Sequence, residues 1–196
     1  GMRVKRSGME NSAKNKIFHT QDLCLRTNLR CAKSSARMEN KMKFVILTGM
    51  SGAGKSTAIK MMEDIGFYCV DNLPIPLLEK FVELTTLQSA ELQKVAVGID
   101  IRSGQSFDEL HGVLDRMKDN GVEYEILFLD AEDSVLVKRY KETRRNHPLA
   151  GGERVDKGIE EERKRLAFLK DRADYIIDTS QLLTRELKAE LDKIFI

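Results

Sequence analysis

The chain has 196 residues, 41% hydrophobic and 33% charged, with a formal net charge of +2. That length supports one ordinary core and leaves little room for two full domains. No run approaches the roughly 18 consecutive apolar residues of a membrane span, so a soluble, cytoplasmic chain is expected. The charge is unevenly placed: residues 1–41 hold ten Lys/Arg against three Asp/Glu, which leaves −5 for residues 42–196. The mildly acidic body removes any argument for nucleic-acid binding from the overall basic balance.

Residues 1–41 show no sustained period of 2 or 3.6 and are rich in Ser, Asn and basic residues. Such a segment buries too little apolar area to offset its ordering entropy. Gly1 ahead of Met2 reads as a cloning scar. The rest reads as a disordered arm, an arginine-rich transit peptide, or a stretch translated from a misassigned start. The last fits best, because a strand begins immediately after Met42. An RNA-binding arm would interleave aromatics with its basic residues, and Phe18 is the one aromatic there. Cys24, Cys31 and Cys69 are too few and too scattered for a disulfide framework, and they read as free thiols.

From Lys43 the pattern is regular. Lys43–Thr48 (KFVILT) is a continuous apolar, β-branched run of the kind that forms a strand buried on both faces. A helix over 54–65 follows, with Ile59, Met62 and Ile65 on one side. Strands are predicted at 67–70, 95–99, 125–129 and 175–177. Helices are predicted at 77–87 after Pro74 and Pro76, at 106–120 opened by a Ser106/Glu109 capping-box spacing, at 132–145, and at 184–195. This alternation predicts an α/β fold, a three-layer α/β/α P-loop NTPase with a five-stranded parallel sheet of the nucleotide-kinase-like type. The glycine-containing, charged stretch 146–158 and the charged helix after it (159–172) break the rhythm. Residues 139–172 read either as a lid-like, arginine-rich excursion over the open end of the sheet or as a solvated helix face.

Gly49-Met50-Ser51-Gly52-Ala53-Gly54-Lys55-Ser56 fits GxxxxGK[ST] at every fixed position, with a buried strand before it and an amphipathic helix after it. Small residues let backbone amides converge on one oxyanion, and the helix opening at Gly54 adds its positive dipole end. Lys55 is placed to reach the β- and γ-phosphates, and the Ser56 hydroxyl to ligate Mg²⁺. A second metal ligand is expected at the end of a neighbouring strand. Asp100 closes VAVGID and Asp130 closes EILFLD. In kinase-like P-loop folds the strand beside the first is the third in sequence, which favours Asp100, while LFLDA has the more familiar form of the motif. Either aspartate reads equally as a strand-end cap of the next helix. Asp71 ends the second strand, where such kinases meet their acceptor, although Asp-Asn before Leu-Pro is also good turn chemistry. Arg144 and Arg145 are placed to fold over a γ-phosphate. His147 reads as exposed beside them.

The runs GMSGAGKS, EDIGFYCVDNLP, DIRS, LFLDA, TRRNHPL and RADYIIDTS together resemble the RapZ/YvcJ family of nucleotide-binding proteins, over Met42 to the C-terminus. The resemblance implies ATP binding at Gly49–Ser56, GTP binding at Asp100, Ile101, Arg102 and Ser103, and weak ATPase and GTPase activity. In some members it implies an RNA-binding adapter role. The family continues into a second, C-terminal domain beyond the length of this chain, and RNA or protein partners are expected to depend on it. Two other readings stand beside a regulatory NTPase: a small-molecule kinase using Asp71, and an adapter in which the nucleotide is structural.

Overall fold

The computed structural model describes residues 42–87, 92–100, 109–144, 147–150 and 154–196. The readings that fall on 1–41, on Ile101–Ser103, on Ser106 and on Arg145 lie outside the described residues. Among the described residues, strands alternate with helices except where α4 and α5 follow each other: β1 (Lys43–Gly49), α1 (Lys55–Asp64), β2 (Tyr68–Val70), α2 (Leu78–Leu87), β3 (Lys94–Gly98), α3 (Leu110–Asp119), β4 (Glu125–Asp130), α4 (Asp133–Thr143), α5 (Val155–Arg172), β5 (Tyr175–Asp178) and α6 (Thr184–Phe195). Pro74 and Pro76 shape a 3₁₀ turn at Ile75–Leu77 that leads into α2, since proline fits the first turn of a helix but not its interior.

All strand pairs are parallel, in the order β2-β3-β1-β4-β5. The sheet is therefore a five-stranded parallel sheet of the expected α/β class. Parallel neighbours need crossovers, and these are right-handed, so helices cover both faces. α1 packs on α6, α2 on α3, and α4 on α5. The central strand β1 is buried from Phe44 onwards, as are Val95–Val97 of β3 and Ile126–Leu129 of β4. Strands covered on both faces need apolar residues on both, which is why they read as unbroken hydrophobic runs.

Of residues 139–172, the described parts are the end of α4, residues 147–150 and α5. α4 runs to Thr143 and stops at Arg144, whose φ of 52° is left-handed. α5 then returns against β1 and β4. Its Ile159, Leu166 and Leu169 are buried at the spacing of one helical face. The charges around that stripe are the solvated side of a core-forming helix.

Candidate nucleotide-binding site

The loop between β1 and α1 crosses the carboxyl end of the sheet. Three of its glycines have positive φ: Gly49 at 136°, Gly52 at 89° and Gly54 at 102°. A Cβ on Gly49 would lie 2.0 Å from the Leu129 carbonyl oxygen, so only glycine allows β1 to approach β4 there. Ala53 N–H donates to the Met50 carbonyl at 3.0 Å. With Gly52 at positive φ in its third position, Met50–Ala53 has the pattern of a type II turn.

Where the loop's other polar groups point is set from outside it. The Lys55 ammonium donates to the Gly49 carbonyl at 2.7 Å. Met50 N–H donates to Leu129 O at 2.9 Å. The Arg139 guanidinium donates to the Gly52 carbonyl at 3.0 Å, and also to the hydroxyl and carbonyl of Thr179 at 3.2 and 2.7 Å. The Thr179 hydroxyl in turn donates to the Ala53 carbonyl at 2.9 Å. Thus α4 and the residue after β5 hold the carbonyls of Gly52 and Ala53 turned outward. Ser51 is tied on its buried side: its N–H lies 3.1 Å from both carboxylate oxygens of Glu162, and its hydroxyl donates to Oε1 at 2.6 Å. Among the described residues, the amides of Gly52, Gly54 and Ser56 make no hydrogen bond within the chain. α1 begins with no side-chain cap and no acidic residue in its first turn. Uncapped amides at a helix N-terminus, with carbonyls drawn away, are the arrangement that takes an anion.

Asp100 and Asp130 flank the start of this loop from opposite sides. β3 pairs with β1 through Leu47↔Gly98, which brings Asp100, two residues on, beside Gly49. β4 pairs through Gly49↔Leu129, which brings Asp130 to the other side. Because both strands neighbour β1, strand adjacency does not separate the two. The surroundings of Asp130 are a cluster of cations and an amide. The Asp130 carboxylate accepts Arg163 at 3.0 Å, Lys170 at 2.6 Å and its neighbour Ala131 N–H at 2.8 Å. Burial alone would raise this carboxyl, but hydrogen bonding by Lys170 and the adjacent Arg163 charge outweigh it and hold it below its ordinary value. Asp130 thus pins α5 to β4. Asp100 is half-buried at the loop, and Ser56 is exposed in the first turn of α1. A hydroxyl and one carboxylate are hard oxygen donors of the kind that, with substrate phosphates, hold Mg²⁺.

Asp71 is exposed at the end of β2, and a Cβ on Gly98 would come within 2.7 Å of its Oδ1. Asp71 and Gly98 therefore meet at the sheet's open end. Arg144 is exposed where α4 stops. His147 is 2% exposed rather than solvent-facing. Its Nε2 lies 2.9 Å from Glu162 Oε2. The HP pair, between Asn146 and Leu149, reads as open loop in sequence because its partner sits fifteen residues downstream. Arg139, Thr179 and Glu162 escaped the sequence reading. Glu162 had a weak signal: it replaces an apolar residue in the stripe Ile159, Leu166, Leu169.

A parallel sheet in the order 2-3-1-4-5, with a glycine loop running from its central strand into a helix, defines a P-loop fold of the kinase-like type. The chain belongs to the RapZ-like N-terminal domain family, which matches residues 42–196. A "Nucleotide-binding protein" of Agathobacter rectalis is 66% identical over 155 residues, covering 79% of this chain and 53% of that protein. One from Lachnoclostridium phytofermentans is 64% identical over 155 residues, covering 79% and 54%. The chain therefore spans about half the length of these relatives. Among solved structures, shikimate kinase from Bacteroides thetaiotaomicron superposes with a TM-score of 0.53 at 18% identity, covering 78% of this chain and 98% of that one. The YorR protein of Bacillus subtilis, in complex with phosphorylated GDP, superposes with a TM-score of 0.51 at 19% identity, covering 78% and 95%. At those identities the likeness is one of fold alone.

Proposed function

We propose that this domain binds a nucleoside triphosphate, ATP or GTP, in the Gly49–Ser56 loop and hydrolyses it slowly, as a regulatory rather than a metabolic site. The observation that carries this is the arrangement of the loop: its carbonyls are tied back by Arg139, Thr179 and Lys55, while amides at the start of α1 are left facing the open end. The names of the relatives support the same ligand class. Ser56 and Asp100 are the residues that would hold Mg²⁺, which, when bound, would neutralise phosphate charge. Lys55 would meet the phosphates, and Arg144 and Arg145 are the further cations offered to them. Slow turnover is what the family resemblance implies, and His147 is buried against Glu162 rather than turned to the open end. Titration with non-hydrolysable ATP and GTP analogues tests the reading. Binding that survives Lys55→Ala unchanged would overturn it.

A second reading, a small-molecule kinase, is favoured by one observation, the placement of exposed Asp71 beside Gly98 at the end of β2. ATP turnover strongly stimulated by one hydroxyl compound, and lost in Asp71→Asn, would promote it over slow hydrolysis. A direct grip on RNA by this half is disfavoured by the −5 charge of residues 42–196. Salt-sensitive gel-shift by a protein beginning at Met42 would contradict that. No helix among the described residues is long and apolar enough to cross a membrane.

A further inference from the structure

Glu162 is 0% exposed and occupies a position on α5 whose neighbours along the helix, Ile159, Leu166 and Leu169, are core residues. An ionisable group in that stripe is costly unless its partners satisfy it, and a buried ion-binding group is by itself weak evidence for stability. Here the partners are Ser51 of the phosphate loop and the buried His147. Oε1 takes the Ser51 hydroxyl at 2.6 Å, both oxygens face the Ser51 N–H at 3.1 Å, and Oε2 faces His147 Nε2 at 2.9 Å. The imidazole is itself fixed. Leu149 N–H donates to Nδ1 at 3.2 Å, which makes Nδ1 the acceptor and leaves the proton on Nε2, pointing at Glu162. The ring lies against Tyr140, with centroids 5.1 Å apart. One turn before Glu162, Gly158 provides the space: a Cβ there would stand 2.5 Å from His147 Nδ1. The pair Gly158 and Glu162, four residues apart on one face of α5, thus forms a slot and an acceptor for the same ring.

We propose that Glu162, oriented by His147, is the positioning residue of the phosphate loop, a role that rests on the nucleotide-binding reading above. Ser51 is the second residue of the Met50–Ala53 turn. Fixing its N–H towards the buried side sets the plane of the Met50–Ser51 peptide, whose carbonyl then receives Ala53 N–H. The turn delivers the chain to Gly54 and the open amides of α1. A carboxylate this close to an anion site works against binding by its charge, so its contribution must lie in the shape it imposes. Glutamine has the same shape but cannot reproduce it. If its oxygen accepts from Ser51, its amide meets the Nε2–H of His147 donor to donor. If its oxygen accepts from His147, its amide faces the Ser51 N–H.

The test compares wild type with Glu162→Gln, Ser51→Ala and the double variant, using adenylyl imidodiphosphate with Mg²⁺ in equilibrium titrations at a temperature where each is folded. Amide NMR reads the Ser51 N–H without nucleotide. The expected result is a downfield Ser51 amide in wild type that moves upfield in Glu162→Gln. Affinity should weaken by about tenfold in Glu162→Gln and a few-fold in Ser51→Ala, with the double variant no weaker than Glu162→Gln, because the two act as one unit. If wild type binds and both single variants bind within twofold of it, Glu162 is merely structural and the proposal is overturned. Ser51→Ala, which keeps the amide and the fold, decides the matter if Glu162→Gln does not fold. Absence of binding in wild type itself would instead refute the nucleotide reading and, with it, the role assigned to Glu162.

Discussion

Gly49→Ala is the substitution whose cost can be worked most directly from the geometry. The new methyl would stand 2.0 Å from Leu129 O and 2.6 Å from Leu129 N, both backbone atoms of β4. Backbone cannot rotate aside as a side chain can, so β1 and β4 must part locally. That is overpacking, worth about 1–3 kcal/mol. The φ of 136° at Gly49 adds strain for any L side chain, about 1–3 kcal/mol more. The sum is about 2–6 kcal/mol. For the 155 residues of the family match, an unfolding entropy of about 2.1 cal/mol/K per residue makes each kcal/mol worth about 3 °C in Tm. A fall of about 6–18 °C is expected, together with loss of nucleotide affinity. Gly66→Ala is the control. Its φ is 89°, but a Cβ there meets nothing within 4 Å, so it should cost only the backbone strain, about 3–9 °C. Calorimetric melts of both variants read the difference. If Gly49→Ala melts no lower than Gly66→Ala, the contact with Leu129 does not limit the loop and the steric reasoning fails.

Other outcomes follow from neighbouring contacts. Asp130→Asn should destabilise by about 1–2 kcal/mol at pH 7, since charged hydrogen bonds to Arg163 and Lys170 are lost but both partners are partly exposed. The Asp130 carboxyl lies below its ordinary value when folded. Its contribution is therefore complete above the ordinary carboxylate range near pH 4 and fades as pH falls through the folded value. Urea midpoints of wild type and Asp130→Asn should converge in strong acid, and a gap that widens there would contradict this sign. Gly158→Ala sets helix propensity, which favours alanine by about 1 kcal/mol, against the His147 ring at 2.5 Å and Ala150 N at 3.1 Å. The clash should win, with a net loss of about 1–2 kcal/mol in denaturant titrations; a gain would show that the ring moves freely. Burial, then the nearby Glu63 charge, push the Cys69 thiol up to about 12. Alkylation at pH 8, followed by mass spectrometry of the peptide containing Cys69, should be slower than for free cysteine by on the order of a thousandfold.

The sheet was readable because its inner strands are buried on both faces, and KFVIL, VAV and EILFL can be little else. The glycine loop was readable because its residue types are imposed by backbone conformation. What holds the loop was not, because each anchor is remote in sequence and of an ordinary type. Arg139 lies in a helix with Lys138 and Lys141 near it, and nothing local marks it as the arginine that reaches Gly52. Arg144, by contrast, drew notice through its motif and ends in solvent. Asp100 and Asp130 looked alike because each closes an apolar run, and the cations that hold Asp130, Arg163 and Lys170, lie 33 and 40 positions downstream on α5. Glu162 was hidden in the run EEERKR, where composition says surface and only the spacing from Ile159 says interior.

The ties to Glu162 and Thr179 span 111 and 126 positions of sequence. During synthesis the glycine loop leaves the ribosome early, yet Glu162 and Thr179, which help to shape it, follow more than a hundred positions later. Contacts of such sequence separation form late, because chain closure is costly until they are made. A nascent chain ending before α5 would carry every letter of the loop without its ties to Glu162 and Thr179. Nucleotide affinity would then report that α5 and the last strand have docked, so the ligand would recognise finished domains and pass over those still being made.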